Sequence, residues 1–392
     1  VERLADWYAN DASSGVHGAA GWLLRQLGEH EIVTRVDQTL FPYSPDREWF
    51  TLAITVTPTQ SPKPEENSPE KDKSLHTKAD QQNEDATQTG TTDESETEIT
   101  SDGSSQAIQQ LDVIDSKTSD PDTSDESNSR SSKESPTMEA DTPPLPTKTF
   151  YYTFIVFPAG EYTIGSPEDE PDRSHRTGEE LRHQVKLTRP FAILDREVSF
   201  EELIAFEPQY EEDITRFQPE ASSAGFGTDW YDSVAFCRWL GRQLDLDELD
   251  QPYQDPVTMD HHLYPKEPSP EANWAPRDWP VNLARTGFRL PTEAEWEIAT
   301  RAGSRTAYGF GSAVGLLKHF GWFTENSGKS SHQSKELRPS TRGVFDLHGN
   351  VFEWVHDWYT EYVLSSQSDP ARSKEGLERV NRGGGWLGLA EY

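Results

Sequence analysis

The sequence predicts an α+β chain low in regular secondary structure, with a short N-terminal helical segment and a long disordered acidic insertion. Three observations predict it. Residues 61–140 contain no Phe, Trp or Tyr and carry 20 acidic against 7 basic residues. On both sides of that window, helix-period and strand-period apolar patterns coexist. Elsewhere the chain is punctuated by Gly and Pro, which implies short strands and long loops. The hydrophobic fraction of 33% is below the roughly 45–50% of a globular chain. The acidic window dilutes an otherwise normal composition, since all 42 aromatic residues lie outside it. Three parts follow: 1–57, helical with a first strand; 58–148, a disordered acidic linker; and 149–392, a folded domain.

In chain order, residues 1–30 are helical. Leu4, Trp7 and Tyr8 form one apolar cluster, and Ala19, Ala20, Leu23, Leu24 and Leu27 repeat at helical spacing before Gly28. The simple reading is two helices broken around Ser13–Gly18. Residues 50–57 alternate Leu52, Ile54 and Val56 with smaller or polar neighbours, the pattern of a half-buried strand. The stretch from Pro58 to Pro146 lacks the apolar surface to offset an ordering cost of ~1–2 kcal/mol per residue. It separates two strand-like runs, 50–57 and 149–158, that can pair as a hairpin, because loop closure cost grows only with the logarithm of length. A helix over Trp230–Leu244 is capped by Asp229 with Asp232 three positions on, its buried stripe being Phe236, Cys237, Leu240 and Leu244. A second starts at Thr292, which forms a capping box with Glu295, and Gly303 stops it. Residues 246–286 form an irregular excursion between the two.

Charge and composition exclude several functions. A formal charge of −33 repels phosphate backbones, so nucleic acid is not an expected partner. No run of 18 apolar residues exists to span a bilayer. One cysteine, Cys237, permits neither an internal disulfide nor a thiolate zinc cage. The chain starts at Val1 without a leader, so the expectation is a processed or partial chain whose compartment stays open. Adjacent His261 and His262 cannot easily turn both rings to one metal, and His332, His348 and His356 are scattered. Glu293 and Glu297 are expected on a solvated helix face and Glu295 in the cap, so no catalytic residue is assigned.

Four motifs then stand in order: FPAGEYTIGSPEDEP with Gly160–Ser166, WYDSVAFCRWL at Trp230–Leu240, FRLPTEAEWEIATRAG at Phe288–Gly303, and GVFDLHGNVFEWVHDW at Gly343–Trp358 followed by RVNRGGGW at Arg379–Trp386. Together they resemble the formylglycine-generating enzyme, or sulfatase-modifying-factor, family. The resemblance implies a mixed fold related to C-type lectins, often holding calcium. The segment WYANDASSGVHGAAGWLLRQLG resembles one that precedes such domains in multidomain bacterial proteins, some of them kinases.

In the family's oxidases two cysteines five residues apart bind copper(I) and use oxygen to convert a substrate cysteine to formylglycine; soft thiolates suit that ion. The first stands three residues after the Ser of a GGS-aromatic motif. Here the motif is Gly383-Gly384-Gly385-Trp386, and the first thiol position falls on Gly388. Copper is therefore not expected. The resemblance also implies a calcium site carried by Asp346 (side chain), Gly349 and Val351 (carbonyls) and Glu353 (side chain), hard oxygens of the kind calcium takes. An aromatic lining the family's active site falls on Phe352 rather than Trp. The expected function is a non-catalytic module recognising a protein or peptide ligand, a sulfatase-like one among the candidates. The alternatives are an oxidase whose active site is completed beyond Tyr392, and a regulatory domain of a larger kinase-type protein.

Overall fold

The computed structural model describes residues 1–57, 147–167, 182–212, 214, 219–254, 279, 281–360, 367–372, 376 and 378–389. The disorder expected from Pro58 to Pro146 and the His261–His262 pair lie outside them. Residues 1–61 and 144–392 belong to one compact unit.

The N-terminus forms three helices, α1 (Glu2–Asn10), α2 (Ser14–Gln26) and α3 (His30–Asp37), where the apolar spacing signals two. The break falls at Asp11–Ser13, and Gly28 turns the chain with φ +76°. The short third helix escapes the pattern because its buried residues are only Val33 and Val36. These join Tyr8, Ala20 and Leu24 in a small core. Arg25 pairs with Asp37 at 2.8 Å across the helices.

Strand β1 (Trp49–Val56) pairs antiparallel with β2 (Lys148–Phe157), from Trp49 opposite Ile155 to Val56 opposite Lys148. The two runs flanking the acidic stretch thus meet as a ribbon. β5 (Phe191–Leu194) adds to the other edge of β2. β1 is more buried than the sequence pattern implies. Its even-numbered face puts Ile54 and Val56 into one core with Phe150, Tyr152 and helices α4 (Phe200–Phe206) and α5 (Trp230–Gln243). The odd face sends Trp49 into a second core with Ile155, Trp296, Ile298 and Val355. Strands β3 (Gly160–Ile164), β4 (His183–Leu187) and β7 (Gln367–Ser368) make a second sheet, and β6 (Glu353–Trp358) pairs with β8 (Arg379–Arg382).

Both signalled caps form. Asp229 accepts the Asp232 N–H at 2.8 Å while Asp232 accepts the Asp229 N–H at 3.0 Å. Thr292 and Glu295 do the same at the head of α6 (Glu293–Arg301). Leu244 departs from the expected stripe: α5 stops at Gln243, and Leu244 is 36% exposed. α6 ends at Arg301, with Ala302 left-handed at φ +47° and Gly303 just beyond it at φ +84°, where the stop was expected.

Glu293 and Glu297 do not face solvent. Every residue of α6 from Glu293 to Thr300 is buried, because the helix runs through the second core. Each carboxylate therefore holds a guanidinium: Glu293 with Arg372 and Arg382, Glu295 with Arg289 at 2.6 Å, and Glu297 with Arg301 at 2.6 Å. Among the described residues no helix is long and apolar enough to cross a membrane.

His17 joins α2 to the sheet. Its ring stacks between Tyr8 (4.6 Å) and Trp49 (3.8 Å), and Nδ1 lies 2.6 Å from the Tyr8 carbonyl. Burial lowers its pKa to about 3. The folded state thus favours the neutral ring. That stabilisation is complete above about pH 6.5 and is lost as pH falls towards about 3. From pH 6.5 to 5 the loss is about 2 kcal/mol. Urea unfolding of His17→Phe, which keeps the stack, should show the stability gap to wild type shifting by about 2 kcal/mol in the variant's favour between pH 7 and 5. A pH-independent gap would show that His17 is not buried neutral.

Candidate functional site

The residues from Gly343 to Glu353 form a loop that enters β6. Its backbone is set by four left-handed residues: Gly343 at φ +83°, Asp346 at φ +56°, Gly349 at φ +103° and Asn350 at φ +63°. Asp and Asn visit this region more readily than other side chains. Gly349 is required twice over, since a Cβ there would lie 2.2 Å from the Trp322 carbonyl oxygen. The loop is laced to two neighbours. Gly349 N–H donates to Gly383 O (2.6 Å), Asn350 N–H to Trp322 O (2.7 Å), and Trp386 N–H to Asn350 O (2.7 Å). The RGGGW segment and the 321–327 segment therefore border it directly.

Asp346 is 2% exposed. One carboxylate oxygen, Oδ2, accepts the Lys335 N–H at 2.9 Å, and the other, Oδ1, is buried without a hydrogen-bond partner. Glu353 Oε2 accepts the Trp296 indole N–H at 3.1 Å. Where an Arg partner would neutralise a structural glutamate, as on α6, Glu353 has an indole. No hydrogen bond to the Gly349 or Val351 carbonyl forms among the described residues. A Cβ on Gly383 would sit 3.6 Å from both Glu353 Oε1 and Val351 O, so these two oxygens border the same small space.

A third carboxylate, Glu197, was not foreseen. It accepts the Val351 N–H at 3.1 Å and a hydrogen bond from the Asn350 amide, and it is buried. Its spacing of about 150 residues from the loop gives no local signal; only the fold unites them. Burial raises all three acids. Asp346 is pushed up to about 7 and Glu353 to about 8, with like charge adding to desolvation; Glu197 is raised well above its usual value, by burial and then by Asp346 and Glu353. Such a set favours either protons or a cation. Among the described residues no three His, Cys, Asp or Glu side chains form a metal cage by themselves. An ion here would need the carbonyls as well.

The remaining candidates disperse. His332 stacks on Trp322 at 3.7 Å, His348 packs edge-on to Tyr308 and Phe310, and His356 meets the Tyr253 hydroxyl at 3.1 Å. Cys237 is buried, and burial pushes its thiol up to about 12. In the RGGGW segment, Gly388 N–H closes a turn onto Gly385 O, and a Cβ on Gly385 would touch the Phe352 ring at 3.2 Å. Phe352 itself is 59% exposed.

Comparison with known proteins converges on one family. The sulfatase-modifying factor enzyme 1-like domain matches residues 139–392. The chain is 29% identical over 267 residues to the formylglycine-generating enzyme of Streptomyces coelicolor, spanning 59% of this chain and 78% of that protein. It is 36% identical over 110 residues to the serine/threonine-protein kinase pkn1 of Chlamydia pneumoniae, spanning 27% of this chain and 17% of the kinase. Treponema denticola variable protein 1 shares the fold, with a TM-score of 0.50 and 26% identity over 62% of this chain and 87% of that one.

Gly349→Ala should destabilise the protein by roughly 2–5 kcal/mol, through strain at positive φ and overlap with Trp322. Gly28→Ala, where a Cβ meets nothing within 4 Å, should cost about 1 kcal/mol. Equal losses in denaturant melts would show that the loop tolerates a side chain.

Proposed function

The chain belongs to the sulfatase-modifying factor enzyme 1-like family, and on that premise we propose that its domain is a non-catalytic module recognising a protein or peptide ligand, with calcium held at Asp346, Gly349, Val351 and Glu353. The observation that carries the non-catalytic reading is Gly388. It occupies the position of the first copper-binding thiol in the family's oxidases and has no side chain. The chain's one thiol, Cys237, is buried on α5 with its pKa raised to about 12, the opposite of a reactive thiolate. These residues do not fit a copper centre.

They do fit a hard cation. Calcium takes six to eight oxygens in flexible geometry. The buried Asp346 Oδ1, the Glu353 carboxylate and the Gly349 and Val351 carbonyls, which accept no hydrogen bond among the described residues, supply that chemistry. Calcium would offset the repulsion among Asp346, Glu353 and Glu197. In this reading the ion is structural: it fixes the loop that carries exposed Phe352 beside the RGGGW turn, where a ligand would dock.

One finding favours the regulatory variant of the reading. The chlamydial kinase is matched over 17% of its length, so related sequence occurs as part of a larger kinase-named protein. A recognition module would there act on its own chain.

Incubation with copper(I), oxygen and a sulfatase-type cysteine peptide should leave the substrate thiol intact by mass spectrometry. Steady conversion to the aldehyde would overturn the non-catalytic reading in favour of the oxidase. Calcium at 100 times its Kd should stabilise the chain by ~2.7 kcal/mol. Asp346→Asn, which keeps an acceptor for the Lys335 N–H, should abolish that gain. Because Asp346 and Glu353 hold protons near pH 7 without an ion, binding should release protons and tighten from pH 6 to 8. Titration calorimetry in buffers of different ionisation heat measures this, and binding without proton release would place the ion elsewhere.

A further inference from the structure

We infer that helix α2 is a positioning element for the turn that presents Asp346, so that docking of the N-terminal helices and cation binding at the loop are thermodynamically coupled. The inference rests on the calcium reading above. α2 comprises Ser14–Gln26 and precedes the family-matched residues 139–392.

Three contacts join α2 to the residues around Asp346. The first is backbone against backbone. A Cβ on Gly15 would lie 2.2 Å from Thr341 O, one on Gly18 would lie 2.8 Å from Gly343 Cα, and one on Gly343 would lie 2.2 Å from Ser14 O. Helix and turn touch without intervening side chains, so a shift of one displaces the other. The second is Glu48. Its Oε2 accepts the Ser14 N–H at 3.0 Å and the Ser14 hydroxyl at 3.2 Å, at the head of α2, while Oε1 pairs with Arg342 at 3.0 Å. A single carboxylate thus joins helix and turn. The third is at the far end of α2, where Trp22 and Gln26 donate to Glu336 O at 3.3 and 3.1 Å. The neighbouring Lys335 N–H is the donor to Asp346 Oδ2.

The turn itself transmits the position. Gly343 N–H donates to Ser340 O and Ser340 N–H to Val344 O, closing residues 340–344, and Phe345 N–H is anchored on Asp195 O. Asp346 follows immediately. It is therefore bounded by two segments, 335–338 and 340–345, and α2 contacts both. A helix that holds the ligand loop in its binding geometry raises cation affinity, and linkage requires the cation to strengthen helix docking by the same factor.

The test uses the full chain and calcium chloride. Glu48→Gln weakens the joint between Ser14 and Arg342 at a half-buried position, so the fold survives. Gly18→Val is the stronger perturbation of the same contact. Glu248→Gln breaks the pair that Glu248 makes with Arg238 of α5, away from α2 and from the turn. The expected result is a calcium Kd at least about fivefold weaker in Glu48→Gln, and slower amide exchange in residues 14–26 when wild type binds calcium. Glu248→Gln should melt earlier with Kd unchanged within about twofold. Should wild type bind calcium while α2 exchange and the Glu48→Gln Kd stay constant, the coupling is overturned and the calcium reading stands. If Glu248→Gln weakens binding as much as Glu48→Gln, general stability and not positioning is responsible. If wild type takes up no calcium at millimolar concentration, the site assignment fails first, and the coupling with it.

Discussion

The antiparallel pairing of β1 with β2 is the constraint from which the rest of the molecule is built. It joins Val56 to Lys148 across about 90 intervening residues, a closure whose cost rises only with the logarithm of length. The ribbon is worth that cost because both of its faces are buried. One contributes Ile54, Val56, Phe150 and Tyr152 to the core under α5; the other contributes Trp49, Ile155 and Phe157 to the core around α6. Trp49 also receives the His17 stack, which ties the N-terminal helices to the sheet. Residues 1–57 are thereby part of the domain's own packing.

Among the described buried carboxylates, those that hold an arginine differ from the three gathered at the loop. Glu202, Glu293, Glu295 and Glu297 each hold an arginine, and a buried ion pair of this sort is costly to break but mostly neutral in net terms. Among the described residues, Asp346, Glu353 and Glu197 are held by N–H and hydroxyl groups and have no guanidinium partner. Burial raises the pKa of all three. Burial alone does not mark the site, since it also raises Asp357, which faces Arg372, and Asp195, which pairs with Lys335; what sets the three apart is that they share the loop bordering the RGGGW turn.

Family membership sets a frame in which departures carry the meaning. The loop DLHGNVFEW carries the Asp346 and Glu353 carboxylates, and the RGGGW segment and the residues after it place glycine at 385 and 388. Gly385 packs within reach of the Phe352 ring. Similarity to formylglycine-generating enzymes and to a kinase-named chain at once is expected where one scaffold serves several roles.

What the sequence determined by itself is local. The caps at Asp229 and Thr292, the pairing strands at 50–57 and 149–158, the family motifs and the Asp346–Glu353 spacing are all set within a few residues, where hydrogen-bond reach and side-chain period act directly. The tertiary structure alone decided the rest. It buried Glu293 and Glu297 where helix periodicity expected water, because solvent exposure depends on what packs against a helix and not on its own pattern. It brought Glu197 to the loop from about 150 residues away, and set Gly15 and Gly18 against a turn more than 300 residues downstream. Contacts at such separation leave no spacing in the chain; they exist only once the β1–β2 ribbon has closed.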